Sequence, residues 1–152
     1  MGDPELMRMA LDEARRCTRW GDVPIGAVVA RGEQVLAAFG NERERRKDPT
    51  AHAEILALRE AAAQGGSWRL DGCAIYVTLE PCAMCAGAMV LARVSRLVFG
   101  APDPKAGFAG SLGDLVRDPR LNHRLEVTGG VLAEESSTLL RSFFAERRGG
   151  RP

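Results

Sequence analysis

Long hydrophobic runs are missing from this chain. Its longest apolar stretch, Ala83 to Ala92, is half the ~20 residues that a membrane-spanning helix needs. The first residues, MGDPELMRMALDEARR, contain no apolar signal core and nothing that directs a chain to secretion. A net charge of either sign is also lacking. Twenty-one basic residues stand against 20 acidic ones, a balance of +1, which excludes a chain that clings to nucleic acid along its whole surface. There is no internal repeat, no low-complexity tract and no linker able to split domains, so solenoid, collagen-like and disordered classes fall away. Aromatics are few, eight in 152 residues, against 45% hydrophobic and 27% charged residues overall. That composition suits one globular domain over residues 1–152, able to bury roughly 68–70% of its unfolded surface. The expectation is a cytoplasmic protein that makes no use of a membrane.

What is present is unevenly placed. Nineteen of the basic residues are Arg, and they cluster at Arg43, Arg45, Arg46 with Lys47, and at Arg147, Arg148 and Arg151. Arg forks suit phosphate, although charge on a loop or a tail is more often simply solvated. Four cysteines, Cys17, Cys73, Cys82 and Cys85, do not read as a disulfide framework in a chain of cytosolic character, where thiols are kept reduced. Cys82 and Cys85 form a C-x-x-C, read first as a metal or redox pair. Cys17 and Cys73 read as small buried hydrophobes.

Residues 4 to 19 carry Leu6, Met9, Ala10, Ala14 and Cys17 at helical spacing, with Asp3 as a candidate N-cap and Pro4 in the first turn. Two short apolar runs, 25–30 and 35–39, flank Arg31-Gly32-Glu33 and predict a β-hairpin. Gly40 to Pro49 is polar and reads as a loop; 51–64 reads as a helix closed by Gly65-Gly66. Cys73 to Leu79 predicts a strand, and Cys82 to Ala92 a helix apolar nearly all round and therefore buried. Strands at 96–100 and 125–128 follow, separated by an irregular segment, and a final amphipathic helix runs over 134–148. Strands alternating with helices imply parallel neighbours covered on both faces, and the hairpin makes the sheet mixed. The predicted fold is α/β, a three-layer α/β/α sandwich around a mixed five-stranded sheet.

One constellation carries chemistry. His52, Cys82 and Cys85 supply an imidazole and two thiols, the ligand types zinc prefers, and three protein ligands leave a fourth tetrahedral position for water. The two cysteines open a helix, whose positive end favours thiolates, and His52 opens another. Helix starts of this kind meet at the carboxyl edge of an α/β sheet. Glu54 lies two residues beyond the histidine, where a carboxylate can move a proton. A structural zinc has no use for it. A fourth ligand from Cys73, Cys17 or His123 would close the site, but H-A-E and P-C-x-x-C about 30 residues apart favour catalysis. Glu80 reads as structural, and His123 as a surface or packing residue.

H-x-E with P-C-x-x-C is the signature of the zinc deaminases. The chain resembles one branch of them, the bacterial tRNA-specific adenosine deaminases. The resemblance is carried by Asp48 to Ile55, Tyr76 to Cys82, Met84 to Met89, Phe99-Gly-Ala101, Asp103 to Gly107, Gly110 to Leu112, Leu121 to Arg124, and Phe143-Phe144 with Arg147-Arg148. It departs from the family's usual residues at Pro102, Phe108 and Ser136.

The resemblance implies a cytidine-deaminase-like fold and hydrolytic deamination of adenosine to inosine at the wobble position of a tRNA anticodon, usually that of an arginine tRNA. It implies one zinc per chain on His52, Cys82 and Cys85, with Glu54 shuttling the proton, and a homodimer, which the apolar helix from Met84 to Val90, larger than one small domain needs to cover, also predicts. Asn41 and Ala53 would contact the target nucleotide. Asp103, Lys105, Phe144 and Arg147 would hold the anticodon stem-loop. Phe143 and Phe144 are adjacent on a helix, so one is core and the other freer. Two rival readings stay open on the residues alone: a deaminase of free bases such as guanine or cytosine, and a zinc-stapled module without enzymatic activity.

Overall fold

The computed structural model describes residues 1–149; Arg151 and the last residues of the expected 1–152 domain lie outside that range. Helix α1, Asp3–Cys17, buries Leu6, Met7, Ala10, Leu11, Ala14 and Cys17 along one stripe. Its N-cap is Gly2, not Asp3 as the sequence suggested. The Glu5 carboxylate accepts the Gly2 N–H at 2.8 Å, while Asp3 is engaged by the Arg96 guanidinium in two bonds of 2.8 and 2.6 Å. Asp3 is thus the first helical residue, and its carboxylate meets a fork of two charge-assisted bonds. A 3-10 turn, Thr18–Trp20, ends at Gly21 with φ +78°.

Strands β1, Gly26–Arg31, and β2, Gln34–Gly40, form the predicted hairpin. Its turn places Gly32 at φ +58°, where an L side chain is strained. A Cβ on Gly26 would lie 1.8 Å from the Ala10 carbonyl oxygen. Only glycine lets α1 lie that close on the hairpin.

Residues expected to be loop contain a short helix, α2, Arg43–Arg46. Its first N–H groups are satisfied from outside the segment. The buried Asp22 carboxylate accepts from Glu44 and Arg45 at 2.7 and 3.1 Å, and Asn41 Oδ1 accepts from Arg43 at 3.1 Å. Nothing in the local residue pattern announces partners 22 and 23 positions away.

Helix α3, Ala53–Gly65, ends at Gly66 with φ +68°. Then come β3, Ala74–Leu79, α4, Ala83–Leu91, β4, Arg96–Ala101, β5, Glu126–Thr128, and α5, Ala133–Gly149. The sheet order is β2-β1-β3-β4-β5, antiparallel across β2, β1 and β3 and parallel across β3, β4 and β5. Alternation along the strands feeds two cores. Val29, Ile75, Val77 and Leu97 pack with Ala57, Leu58, Ala86 and Met89 of α3 and α4. Val28, Ala30, Tyr76 and Val98 pack under α1, with Leu139 of α5 joining. The fold is the three-layer α/β sandwich read from the sequence.

Helix α4 departs from its expected complete burial. Cys85, Ala86, Met89 and Val90 are buried, but Met84 is 36% and Leu91 72% exposed. Among the described residues the sheet and α3 pack on one side of the helix, and Met84 and Leu91 on its other face stay open. Among the described residues, no helix is long and apolar enough to cross a membrane.

Candidate active site

Two helix starts converge beyond the carboxyl end of β3. His52 is the N-cap of α3 and Cys82 the N-cap of α4, both in extended backbone (φ −72° and −71°). Three residues on, Cys85 lies in the first turn of α4 on the same side. His52 Nδ1 stands 3.7 Å from Cys82 Sγ and 3.5 Å from Cys85 Sγ. A metal bonded to sulfur at ~2.3 Å and nitrogen at ~2.0–2.1 Å, with tetrahedral angles, requires an S···N separation of roughly 3.5 Å. The three donors therefore stand where a tetrahedral ion would hold them. They form a cluster able to bind a metal, and among the described residues no fourth His, Cys, Asp or Glu joins it. His123 instead donates from Nε2 to the Val94 carbonyl at 2.6 Å. Cys17 is buried beside the Glu13 and Ile25 carbonyls, its thiol pushed up to about 11 by burial, and Cys73 is buried.

The electrostatics favour a cation. A hydrogen bond from Cys85, with another from His52, brings the Cys82 thiol down to about 4. The Cys82 thiolate and burial push Cys85 in the opposite direction. The hydrogen bond to Cys82 raises His52. Without metal the two thiols share one charge; an ion that takes both as thiolates must release a proton. Glu54, in the first turn of α3, is 4% exposed. Burial pushes its carboxyl up to about 6, against the pull of His52. A value that close to neutrality suits a group that accepts and returns a proton.

These groups open onto a cavity of about 650 Å³, lined among others by Asn41, Ala53, Asp103, Lys105 and Phe144. The Asn41 side chain donates to the Val23 carbonyl at 3.2 Å and accepts from Arg43, so its amide is oriented. Ala53 is the first residue of α3, where a helical N–H has no partner within the helix. Asp103 Oδ1 accepts the N–H groups of Lys105 and Ala106 at 3.1 and 3.2 Å, folding the rim into a tight turn. Of the two adjacent phenylalanines, Phe143 is buried, whereas Phe144 is 42% exposed and faces the cavity; their rings meet edge to face at 5.4 Å. Arg147 is not among the lining residues. Its guanidinium lies 5.0 Å from the Phe143 ring centre and donates to the Gly21 carbonyl, tying α5 to the turn after α1.

Sequence reasoning passed over other lining residues. Ser137, Leu140 and Arg141 share a face of α5 with Phe144, and that helical spacing was the available signal. Val23 precedes and Ile25 begins the first predicted strand, and neither carried a further signal. Glu80 is structural, as its place before the C-x-x-C predicts, but no local pattern names the loop that it holds. Burial works against its ionised form, while Ser111 and the N–H groups of Asp103, Ser111 and Ala109 keep it below its usual range.

The chain matches the family profile of MafB19-like deaminases over residues 1–148. It is 48% identical over 146 residues to the tRNA-specific adenosine deaminase of Bacillus subtilis, covering 96% of this chain and 91% of that protein. The enzyme of the same name from Aquifex aeolicus is 42% identical, covering 97% of each. Among solved structures, one from work on A-to-I editing by tRNA:A34 deaminases at the wobble position superposes with a TM-score of 0.86 at 43% identity. It covers 90% of this chain and 99% of that one. The guanine deaminase of Nitrosomonas europaea is similar at a TM-score of 0.82 and 26% identity, over 95% of this chain and 85% of that one.

Proposed function

The chain belongs to the MafB19-like deaminase family, among the tRNA-specific adenosine deaminases, and from that premise we propose that it converts adenosine to inosine at wobble position 34 of a tRNA anticodon loop. The substrate is an arginine tRNA, and the place of work is the cytoplasm. The observation that carries the reading is the three-donor cluster with a single buried carboxylate beside it, at the floor of a cavity with an exposed aromatic at its mouth.

His52, Cys82 and Cys85 would hold one zinc per chain. A zinc ion lowers the pKa of a coordinated water from ~16 toward ~7, which makes a nucleophile available at neutral pH. Glu54 would take a proton from the attacking water and deliver it to N1 of adenine, which makes C6 electrophilic. After attack at C6, Glu54 would take the proton of the newly bonded hydroxyl and pass it to the amino group, so that ammonia leaves as C6 becomes the carbonyl carbon of inosine. Asn41 and the backbone at Ala53 orient the nucleotide. Phe144 offers a face on which a base of the loop stacks. Asp103 and Lys105 meet the loop backbone at the rim, and Arg147 adds charge farther out. An adenine in a stem cannot reach the cavity floor, whereas an anticodon loop presents one at little unstacking cost. The residues fold as one domain that pairs as a homodimer, covering the open face of α4 at Met84 and Leu91.

The test is inosine formation on an anticodon stem-loop, with free adenosine and guanine assayed beside it. The stem-loop should be deaminated and the free compounds barely touched. Binding should weaken with salt at a slope of a few phosphate contacts. Equal activity on free guanine would replace this reading with that of a free-base deaminase. Sedimentation at micromolar concentration tests the dimer.

A further inference from the structure

Glu80 stands at the end of β3, and its backbone N–H bonds to the Ala101 carbonyl at 2.9 Å. Its side chain, in a residue only 3% exposed, accepts four hydrogen bonds from one loop. Oε1 takes the Asp103 N–H at 2.9 Å and the Ser111 hydroxyl. Oε2 takes the N–H groups of Ala109 and Ser111, each at 3.0 Å. The loop also closes on the residue after Glu80, with the Phe108 N–H donating to the Pro81 carbonyl at 2.8 Å. Gly107 lies flat on the carboxylate, where a Cβ would fall 2.3 Å from Glu80 Cδ. Asp103 sits between Pro102 and Pro104, whose rings fix φ, so the rim has little freedom of its own. The same short stretch, Glu80-Pro81-Cys82, leads directly into α4 and the metal ligands.

We propose that Glu80 is a positioning residue for the substrate: its buried carboxylate sets the height of the 102–111 rim over the cavity floor, and so the reach from Asp103 and Lys105 to Glu54. The proposal rests on the functional reading above. A looped RNA gripped at the rim must place its base at a fixed depth, and one side chain links the two levels.

Replacement by Gln makes the role separable. With its amide nitrogen toward the Oε2 site, Gln would oppose two backbone N–H groups. With the nitrogen toward the Oε1 site it opposes only that of Asp103, because the Ser111 hydroxyl can turn and accept. Glu80→Gln therefore releases Asp103 selectively. In that variant the Asp103 amide should exchange with deuterium far faster, while Ala109 and Ser111 stay protected. Its KM for an anticodon stem-loop should rise roughly tenfold, as expected for a lost buried hydrogen bond, with a smaller change in kcat and unchanged metal content. Gly107→Ala, which leaves Glu80 in place and pushes the loop away from it, should raise KM in the same direction. An unchanged KM in both variants, or a Glu80→Gln loss wholly in kcat, overturns the proposal. If Glu80→Gln fails to fold, Gly107→Ala decides. Exchange and metal content are read without substrate. A wild-type protein inactive on the stem-loop thus sinks the functional reading alone, and Asp103 exchange then decides for Glu80.

Discussion

Glu54→Gln separates catalysis from stability most sharply. The amide keeps the size of the side chain and removes only its ability to exchange a proton. General acid–base groups contribute roughly 10²–10⁴-fold. In the proposed mechanism Glu54 serves two proton transfers from a buried position, so the loss belongs at the upper end, about 10⁴-fold or roughly 5 kcal/mol of transition-state stabilisation. Stability should move the other way in the metal-free protein. Burial raises the carboxyl from its ordinary 4.5 to about 6, and about 1.4 kcal/mol per pKa unit makes this a penalty of about 2 kcal/mol at pH 7. The folded state binds the proton more tightly than the unfolded state. The penalty is therefore absent below pH 4.5, grows as pH rises, and is complete above about 6. Urea titration of the metal-free, reduced proteins should show Glu54→Gln more stable than wild type at pH 7 and equal to it at pH 4. Single-turnover inosine formation by the zinc-loaded variant should be close to undetectable, with zinc content unchanged. A variant that retained turnover, or was less stable at pH 7, would refute the reasoning.

Elemental analysis and X-ray absorption should find one zinc per chain with one nitrogen and two sulfur ligands; a shell of four protein ligands would contradict the catalytic reading. Asp3→Asn removes the carboxylate that Arg96 and Tyr76 clasp, at a cost of about 1 kcal/mol for this half-buried pair. Arg96 holds the Asp3 pKa below its usual 3.8, so this stability is full above 3.8 and fades as pH falls through the lower folded value. The difference between wild-type and variant urea midpoints should shrink accordingly below pH 4, and a constant difference would count against the pair. Gly26→Ala places a methyl 1.8 Å from the Ala10 carbonyl oxygen, and such overpacking costs typically 1–3 kcal/mol. A wild-type melting temperature would show that α1 can shift away.

Much of this protein was determined by short-range features of its sequence. Helical and strand periodicities placed every strand and the long helices to within a few residues, because a one-sided or two-sided core imposes its period on the chain locally. The cluster of candidate metal ligands was legible for a related reason. His52, Cys82 and Cys85 are chemically unusual residues, each at a helix start, and a start is marked by the residues around it. Tertiary structure decided whatever depends on partners distant in sequence. The turns of α2 rest on Asp22, 22 positions before the first N–H that it accepts. Asp3 was drawn from capping by Arg96, 93 positions away. Phe143 turned inward and Phe144 outward because the sheet lies on one side of α5 and the cavity opens on the other. The role of Glu80 exists only once the chain from 103 to 111 folds back over it, as no local pattern encodes which loop supplies a buried carboxylate with its donors.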